Sequence, residues 1–240
     1  YFRTLNQGFP EYVLMEDNRI LPPKQVKSKQ RVTDHGEVFT AEREVNAMLD
    51  LVKQETERIE SRFLEPACGT GNFLIEILRR KLAVVAERYS KSPREFEKYS
   101  IVALTSIYGV ELLQDNVTEC KQRLFQVWEQ NYLTHCSSIA TQATREAAQY
   151  ILERNILCGD ALTLKNSEGK PIIFSEWSLV TGDLIKRRDF RLDEMLEGHK
   201  QEVTLFMHDW DYDEEIHAYI PKPIKEFPPI EYWGVKEHGR

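Results

Sequence analysis

The sequence predicts an α/β fold with a mainly parallel sheet. Short apolar strands of about 5–7 residues alternate with helical stretches. A glycine-containing turn separates the first strand from the helix that follows it, at Cys68-Gly69-Thr70-Gly71. Successive strands end on an acid: Glu65, Glu111, Asp160 and Asp183.

Residues 1–35 read as an irregular arm, broken at Pro22-Pro23. Arg19, Lys24, Lys27, Lys29 and Arg31 form a basic run in it, either a solvated arm or one that touches a phosphate backbone. Thr40 to Arg62 reads as a helix with Thr40 as N-cap and Val45, Met48, Leu49, Val52 and Ile59 on one face. Arg62 to Glu65 is a strand, stopped by the glycine turn. The next helix turns Phe73, Leu74, Ile77, Leu78 and Leu82 inward. Ser92-Pro93-Arg94-Glu95 is a capping box with proline at the first helical position.

Ser106 to Leu112 is the second strand, and a helix opens at Asp115 with Val117, Leu124, Phe125 and Trp128. A helix over Ala140–Glu153 leads to a third strand, Asn155–Asp160. Trp177–Asp183 reads as a fourth strand and Glu202–Met207 as a fifth. Past Asp183 the chain turns acidic and then proline-rich. The domain reading is therefore an arm at 1–35, an α/β domain at 36–207 and an extension at 208–240.

Composition narrows the class. The chain has 240 residues, 41% of them apolar and 30% charged, which supports a core and excludes a disordered chain. No apolar run approaches the roughly 18 residues of a membrane span. The formal charge of −7 argues against a nucleic-acid coat protein, though not against an enzyme that meets DNA through a local basic strip. Cys68, Cys120, Cys136 and Cys158 show no CxxC spacing, so neither a zinc knuckle nor a disulfide framework is expected. With no apolar leader behind Tyr1-Phe2-Arg3, the expectation is a cytoplasmic protein.

The strand tips carry the chemistry. Gly69 and Gly71 permit a sharp turn at the carboxyl end of the first strand, where open α/β sheets bind ligands. The third glycine of the dinucleotide fingerprint and the Lys-Ser/Thr pair of a P-loop are both missing. Glu65 disfavours a pyrophosphate and suits a ligand with an amino cation. Glu111, at the tip of Tyr108-Gly109-Val110-Glu111, suits two ribose hydroxyls, or is a surface acid. Asp160, in Cys158-Gly159-Asp160-Ala161, suits an adenine amine. Together the three tips describe a pocket for a nucleoside joined to an amino-acid cation.

These residues resemble the S-adenosylmethionine-dependent adenine-N6 DNA methyltransferases of bacterial restriction–modification systems, in their gamma order. Phe63-Leu64-Glu65-Pro66-Ala67-Cys68-Gly69-Thr70-Gly71-Asn72-Phe73-Leu74 is similar to the family's cofactor motif, and His35–Ala41 to its N-terminal Gly-x-Phe/Tyr-Phe/Tyr-Thr-Pro motif. The resemblance spans about residues 33–185. It implies a Rossmann-like class I methyltransferase sheet, truncated on its C-terminal side, with S-adenosylmethionine as cofactor. Phe39 and Thr40 would flank the methionine part, and Glu65 would meet its ammonium. The backbone of Ala67, Gly69 and Gly71 would approach the cofactor, with Asn72 and Phe73 completing the motif. Glu111 would hold the ribose and Asp160 the adenine. Cys68 reads as a small packing residue, not a nucleophile.

Adenine's amine is a weak nucleophile because its lone pair is delocalised into the ring. The family answers with Asn/Asp-Pro-Pro-Tyr/Phe, whose first side chain and a proline carbonyl accept the amine hydrogens while the aromatic stacks on the flipped base. Here the register candidate is Thr181-Gly182-Asp183-Leu184-Ile185-Lys186, with Asp183 in the acid's place and no aromatic. Pro228-Pro229 comes too late. The chain past Asp183 is also short for the seven strands of the family fold plus a recognition region. Either a partner subunit supplies target recognition on double-stranded DNA, or this is an impaired relative acting as a subunit or regulator. RNA and protein substrates share the same pocket chemistry and stay open. Lys186–Arg191 reads as a phosphate-gripping strip or a solvated loop. His208–Asp213 alternates acids but lacks the glycine turn and terminal Glu of a calcium loop, so no metal is expected.

Overall fold

A computed structural model describes residues 27–35, 37–197, 210–213 and 218–239. The chain divides into two units, 1–41 and 42–240. In the first, α1 (Lys29–His35) replaces part of the expected irregular arm. Its Arg31 is engaged by Glu37 through bonds of 2.7 and 2.8 Å. Arg19 and Lys24 of the basic run lie outside the described residues.

The second unit opens with α2 (Glu42–Asp50), whose first turn holds Glu42 and Glu44, the favourable sign for a helix N-terminus. The helix expected to run to Arg62 stops here: Leu51 and Val52 close it with bonds to Met48 and Leu49, and a short α3 (Lys53–Thr56) follows. Val45, Leu49 and Ile59 are buried as expected, but Met48 and Val52 are exposed. The break frees the carbonyls of Arg58, Ile59 and Ser61, and all three accept from the buried Lys81 Nζ.

β1 (Phe63–Glu65) leads through the glycine turn into α4 (Asn72–Tyr89). Leu74, Leu78, Leu82 and Val85 of α4 are fully buried, and each such side chain contributes about 1.5–3 kcal/mol. α5 (Pro93–Thr105) starts at the capping box, with Ser92 accepting from the Glu95 amide at 3.5 Å. β2 (Ile107–Glu111), α6 (Gln114–Cys136), α7 (Gln142–Asn155) and β3 (Ile156–Cys158) complete the first half. The three strands pair in parallel in the order β1-β2-β3, with Glu65 level with Gly109 and Glu111 level with Cys158.

Strand alternation assigns two faces to this sheet. Ile107 and Ile156 join Leu74, Leu78, Ile101, Leu104 and Leu124 in the core built by α4 to α7. Tyr108 and Val110 point the other way, into a second cluster with Ile172, Phe174 and Leu192.

After β3 the parallel pattern ends, which corrects the expectation of a mainly parallel sheet. β4 (Ile173–Leu179) and β5 (Leu184–Arg191) form an antiparallel hairpin. The expected fourth strand, Trp177–Asp183, is thus the end of β4 plus the hairpin turn, closed by Gly182 at φ +60. α8 (Leu192–Glu197), β6 (Trp210–Asp213) and β7 (Ala218–Pro221) follow, β6 pairing with β7. β8 (Lys225–Glu226) and β9 (Ile230–Glu231) both pair with β5, and a 3-10 stretch spans Tyr232–Gly239. The expected fifth strand, Glu202–Met207, lies outside the described residues.

The basic run Lys186–Arg191 is neither a free strip nor a loop. It is strand β5, and its cations meet carboxylates: Lys186 with Glu226 (2.9 Å), Arg188 with Glu176 (2.7 Å) and Arg191 with Asp193 (2.6 Å). Arg187 is buried and binds both oxygens of Asp189 (2.8 and 2.7 Å) and the Tyr150 hydroxyl, with the Phe227 ring 4.2 Å away. The C-terminal stretch also enters the core. Tyr232 donates to Glu97 Oε1 (2.7 Å), whose other oxygen accepts from Tyr132 (2.6 Å) and Thr144 (3.3 Å).

Candidate functional site

The glycine turn is built from backbone bonds. The Cys68 amide donates to the Val110 carbonyl (3.0 Å), and the Gly71 amide donates to the Cys68 carbonyl (2.8 Å). Gly69 and Gly71 sit at φ +52 and +91, conformations that a side chain rarely adopts. A Cβ on Gly71 would also lie 2.6 Å from Cys120 Sγ. In β2, a Cβ on Gly109 would lie 2.8 Å from Cys68 Sγ, so the bare backbone there seats the turn. Cys68 is buried, and a hydrogen bond with Cys120, burial and the nearby acids Glu111 and Glu65 push its thiol well above the usual range. That environment suits a packing residue and disfavours a thiolate nucleophile.

The parallel register brings Glu65 and Glu111 to the carboxyl ends of neighbouring strands, and Asp160 follows two residues past the end of β3, in a bridge with Lys165. Glu111 reaches across to the turn: its Oε2 accepts the Gly69 amide at 2.9 Å. Its Oε1 accepts from the Leu113 amide (3.0 Å) and Asn116 Nδ2 (3.3 Å) at the start of α6. Glu65 accepts from the Ala67 amide at 3.3 Å. Asp160 accepts from the Leu162 amide (2.8 Å) and the Thr163 hydroxyl (3.0 Å), bonds that hold its carboxyl below the usual range. A cavity of about 400 Å³ opens beside the β2 and β3 tips, lined by Leu112, Cys158, Gly159, Asp160, Thr163 and Lys165 among others. Leu112 and Leu162 are 56% and 95% exposed.

Three further residues approach the turn from α6. Asn116, Cys120 and Arg123, at i, i+4 and i+7, share one helix face. They touch Glu111, Gly71's surroundings, and the pair Thr70 and Asn72, respectively. Sequence reasoning missed them; the i, i+4, i+7 spacing behind an acid-tipped strand is the signal that was present. The Asn72 amide oxygen accepts from Arg123 at 2.9 Å, and Phe73 packs against the helical core.

Asp183 is not brought to these tips. It lies in the β4–β5 turn, where Arg94 of α5 binds it at 2.7 Å and Lys98 stands at 3.9 Å. The adjoining hairpin residues Ser178, Leu179 and Ile185 line a cleft of about 490 Å³ with Glu60, Arg62 and Ser106, which precede β1 and β2. The hairpin therefore carries Asp183 toward the amino ends of the strands, away from the glycine turn. Phe39 and Thr40 are half-buried and belong to the first unit. Among the described residues, no cluster of His, Cys, Asp and Glu forms a metal site, and no helix is long and apolar enough to cross a membrane.

A parallel β–α sheet with a glycine turn and acidic strand tips is an α/β domain of the kind in which ligands bind at the carboxyl ends of the strands. The family model described as MmeI, DNA-methyltransferase domain, matches residues 39–172, more than half of the chain. The chain belongs to this family of restriction–modification DNA methyltransferase domains. The match contains the glycine turn, Glu111 and Asp160, and ends before Asp183. No curated protein and no solved structure matches the chain.

Proposed function

We propose that the chain binds S-adenosylmethionine across the tips of β1, β2 and β3 and directs methyl transfer to the exocyclic amine of adenine in double-stranded DNA. The observation that carries this reading is the Glu111–Gly69 contact, which joins the second acidic tip to the glycine turn. The residues fit the group. Glu65 offers a carboxylate for an amino-acid ammonium. A ligand would approach the turn along the exposed Ala67 and the half-buried Gly69, while Gly71, buried against Cys120, shapes the bend. Glu111 accepts ribose hydroxyls, and Asp160 accepts a purine amine, with the exposed Leu112 in the cavity lining for the face of a flat ring. When bound, the sulfonium supplies an electrophilic methyl group. The order β1-β2-β3 is that of one half of a Rossmann-like class I sheet. A cytoplasmic location accords with this reading.

Calorimetry with S-adenosylmethionine on the wild type and on a Gly69→Val, Gly71→Val double variant tests it. Micromolar binding lost in the variant is expected; equal affinity in both, or none in either, removes the reading. Adenine specificity is tested by transfer of a labelled methyl group to mixed-sequence duplex DNA, followed by nucleoside analysis.

The placement of Asp183 favours a second reading. With Asp183 tied to Arg94, the groups that grip the target base come from outside the described residues, and the chain acts as a subunit or regulator that needs a partner for DNA recognition. Methyl turnover by the isolated chain would reject it.

A further inference from the structure

We propose that Arg123 is a positioning residue for the cofactor loop, acting through Thr70 and Asn72. The inference rests on the reading that residues 65–73 hold S-adenosylmethionine. Arg123 Nη1 lies within hydrogen-bond distance of three oxygens of the loop, among which its two N–H groups are shared: the Thr70 carbonyl at 2.7 Å, the Thr70 hydroxyl at 2.9 Å and the Asn72 amide oxygen at 2.9 Å. Thr70 is buried, so its carbonyl and hydroxyl depend on partners within the protein. These are charge-assisted bonds, stronger than neutral ones.

The loop needs such a brace. With Gly69 and Gly71 both at positive φ, its backbone gains little from local preference and loses much entropy on ordering. Glu111 fixes residue 69 from the β2 tip, and Arg123 fixes residues 70 and 72 from α6. Glu111 also accepts from the Leu113 amide and Asn116 at the start of α6. The helix therefore sets the separation between the ribose acid and the loop. Arg123 stands at the loop's α6 side, where it orders the loop without being assigned a contact to the ligand. A loop held in its binding shape spares the ligand the cost of ordering it.

The test compares the wild type with Arg123→Leu, Arg123→Gln and Arg123→Lys by calorimetry with S-adenosylmethionine. It adds amide hydrogen exchange of the ligand-free proteins, read at Gly71 and Ile75, whose amides are bonded at 2.8 Å to the Cys68 and Gly71 carbonyls. Leu and Gln should weaken binding about tenfold and speed exchange at these two amides by a similar factor, with Lys recovering part of both through its own donors. Unchanged affinity together with unchanged exchange overturns the proposal. So does accelerated exchange spread throughout α4 and α6 with no recovery by Lys, the mark of a merely structural arginine. If the wild type itself has no affinity, the cofactor reading falls, and exchange at Gly71 still decides whether Arg123 braces the loop.

Discussion

The Glu111 carboxylate accepts the Gly69 amide at 2.9 Å across 42 positions of sequence. One oxygen thus serves the turn after β1, while the other serves the start of α6. On the proposed reading, a ligand hydroxyl arriving at Glu111 would meet an acceptor already oriented by the glycine loop.

Removing that carboxylate has two measurable effects. Glu111→Ala leaves the Gly69 and Leu113 amides without their acceptor and is expected to cost about 1–3 kcal/mol in urea unfolding. In calorimetry the variant should bind S-adenosylmethionine at least about tenfold more weakly, since a charged hydrogen bond is worth that much. Glu111→Gln, which keeps an acceptor oxygen, should fall between the two.

Gly71→Ala combines backbone strain at φ +91 with a contact of 2.6 Å to Cys120 Sγ. Together these should destabilise the fold by about 1–3 kcal/mol. Cys120→Ala in the same chain removes the clash but not the strain. The double variant should therefore recover part of the loss, and denaturant midpoints of the four proteins in the cycle measure it.

The glycine turn, the capping box at Ser92 and the acids Glu65 and Glu111 at their strand ends were legible in the residues, because each is a local signal. The hairpin was not legible, because the alternation of Trp177–Leu179 suits a parallel or an antiparallel strand equally. What decides it is the pairing of Glu176 with Arg188 and of Ser175 with Asp189, which residue types alone do not disclose. Asp183 was misplaced for that reason. The cations of Lys186–Arg191 looked free because Glu176 and Glu226 lie far away in sequence. Arg123 and Asn116 gain meaning only once the loop and Glu111 are placed beside them.

Lys81 makes stability depend on pH. It is fully buried, and burial pulls its ammonium down to about 7, against the pull of three carbonyl acceptors that favour the charged form. A folded-state value below the unfolded one means that the unfolded chain binds more protons between about pH 7 and the ordinary lysine range near 10.4. Stability should rise with pH across that window, by up to about 1.4 kcal/mol per unit from this group, and Lys81 should add no slope below it. Lys81→Met should flatten the rise, as followed by urea unfolding at pH 7, 8 and 9 relative to the wild type.

Arg187 and Asp189, both on β5, form a buried ion pair within the hairpin. Arg187→Leu strands the Asp189 charge and should cost about 3–5 kcal/mol, whereas Arg187→Leu with Asp189→Leu should cost less than the single change. Trp177, whose ring lies 5.7 Å from the guanidinium, reports both by its fluorescence during unfolding.

The bond from Tyr232 to Glu97 has a consequence for biosynthesis. Helices α5, α6 and α7 are translated well before Tyr232, and Glu97 Oε1 lies among them with that distant hydroxyl as its donor. Until Tyr232 has been made, the Glu97 carboxylate has only Tyr132 and Thr144 as donors among the described residues, both to its other oxygen. The tyrosine that completes this cluster is made 135 positions after the carboxylate it serves, so the helical layer gains that bond only after Tyr232 has emerged.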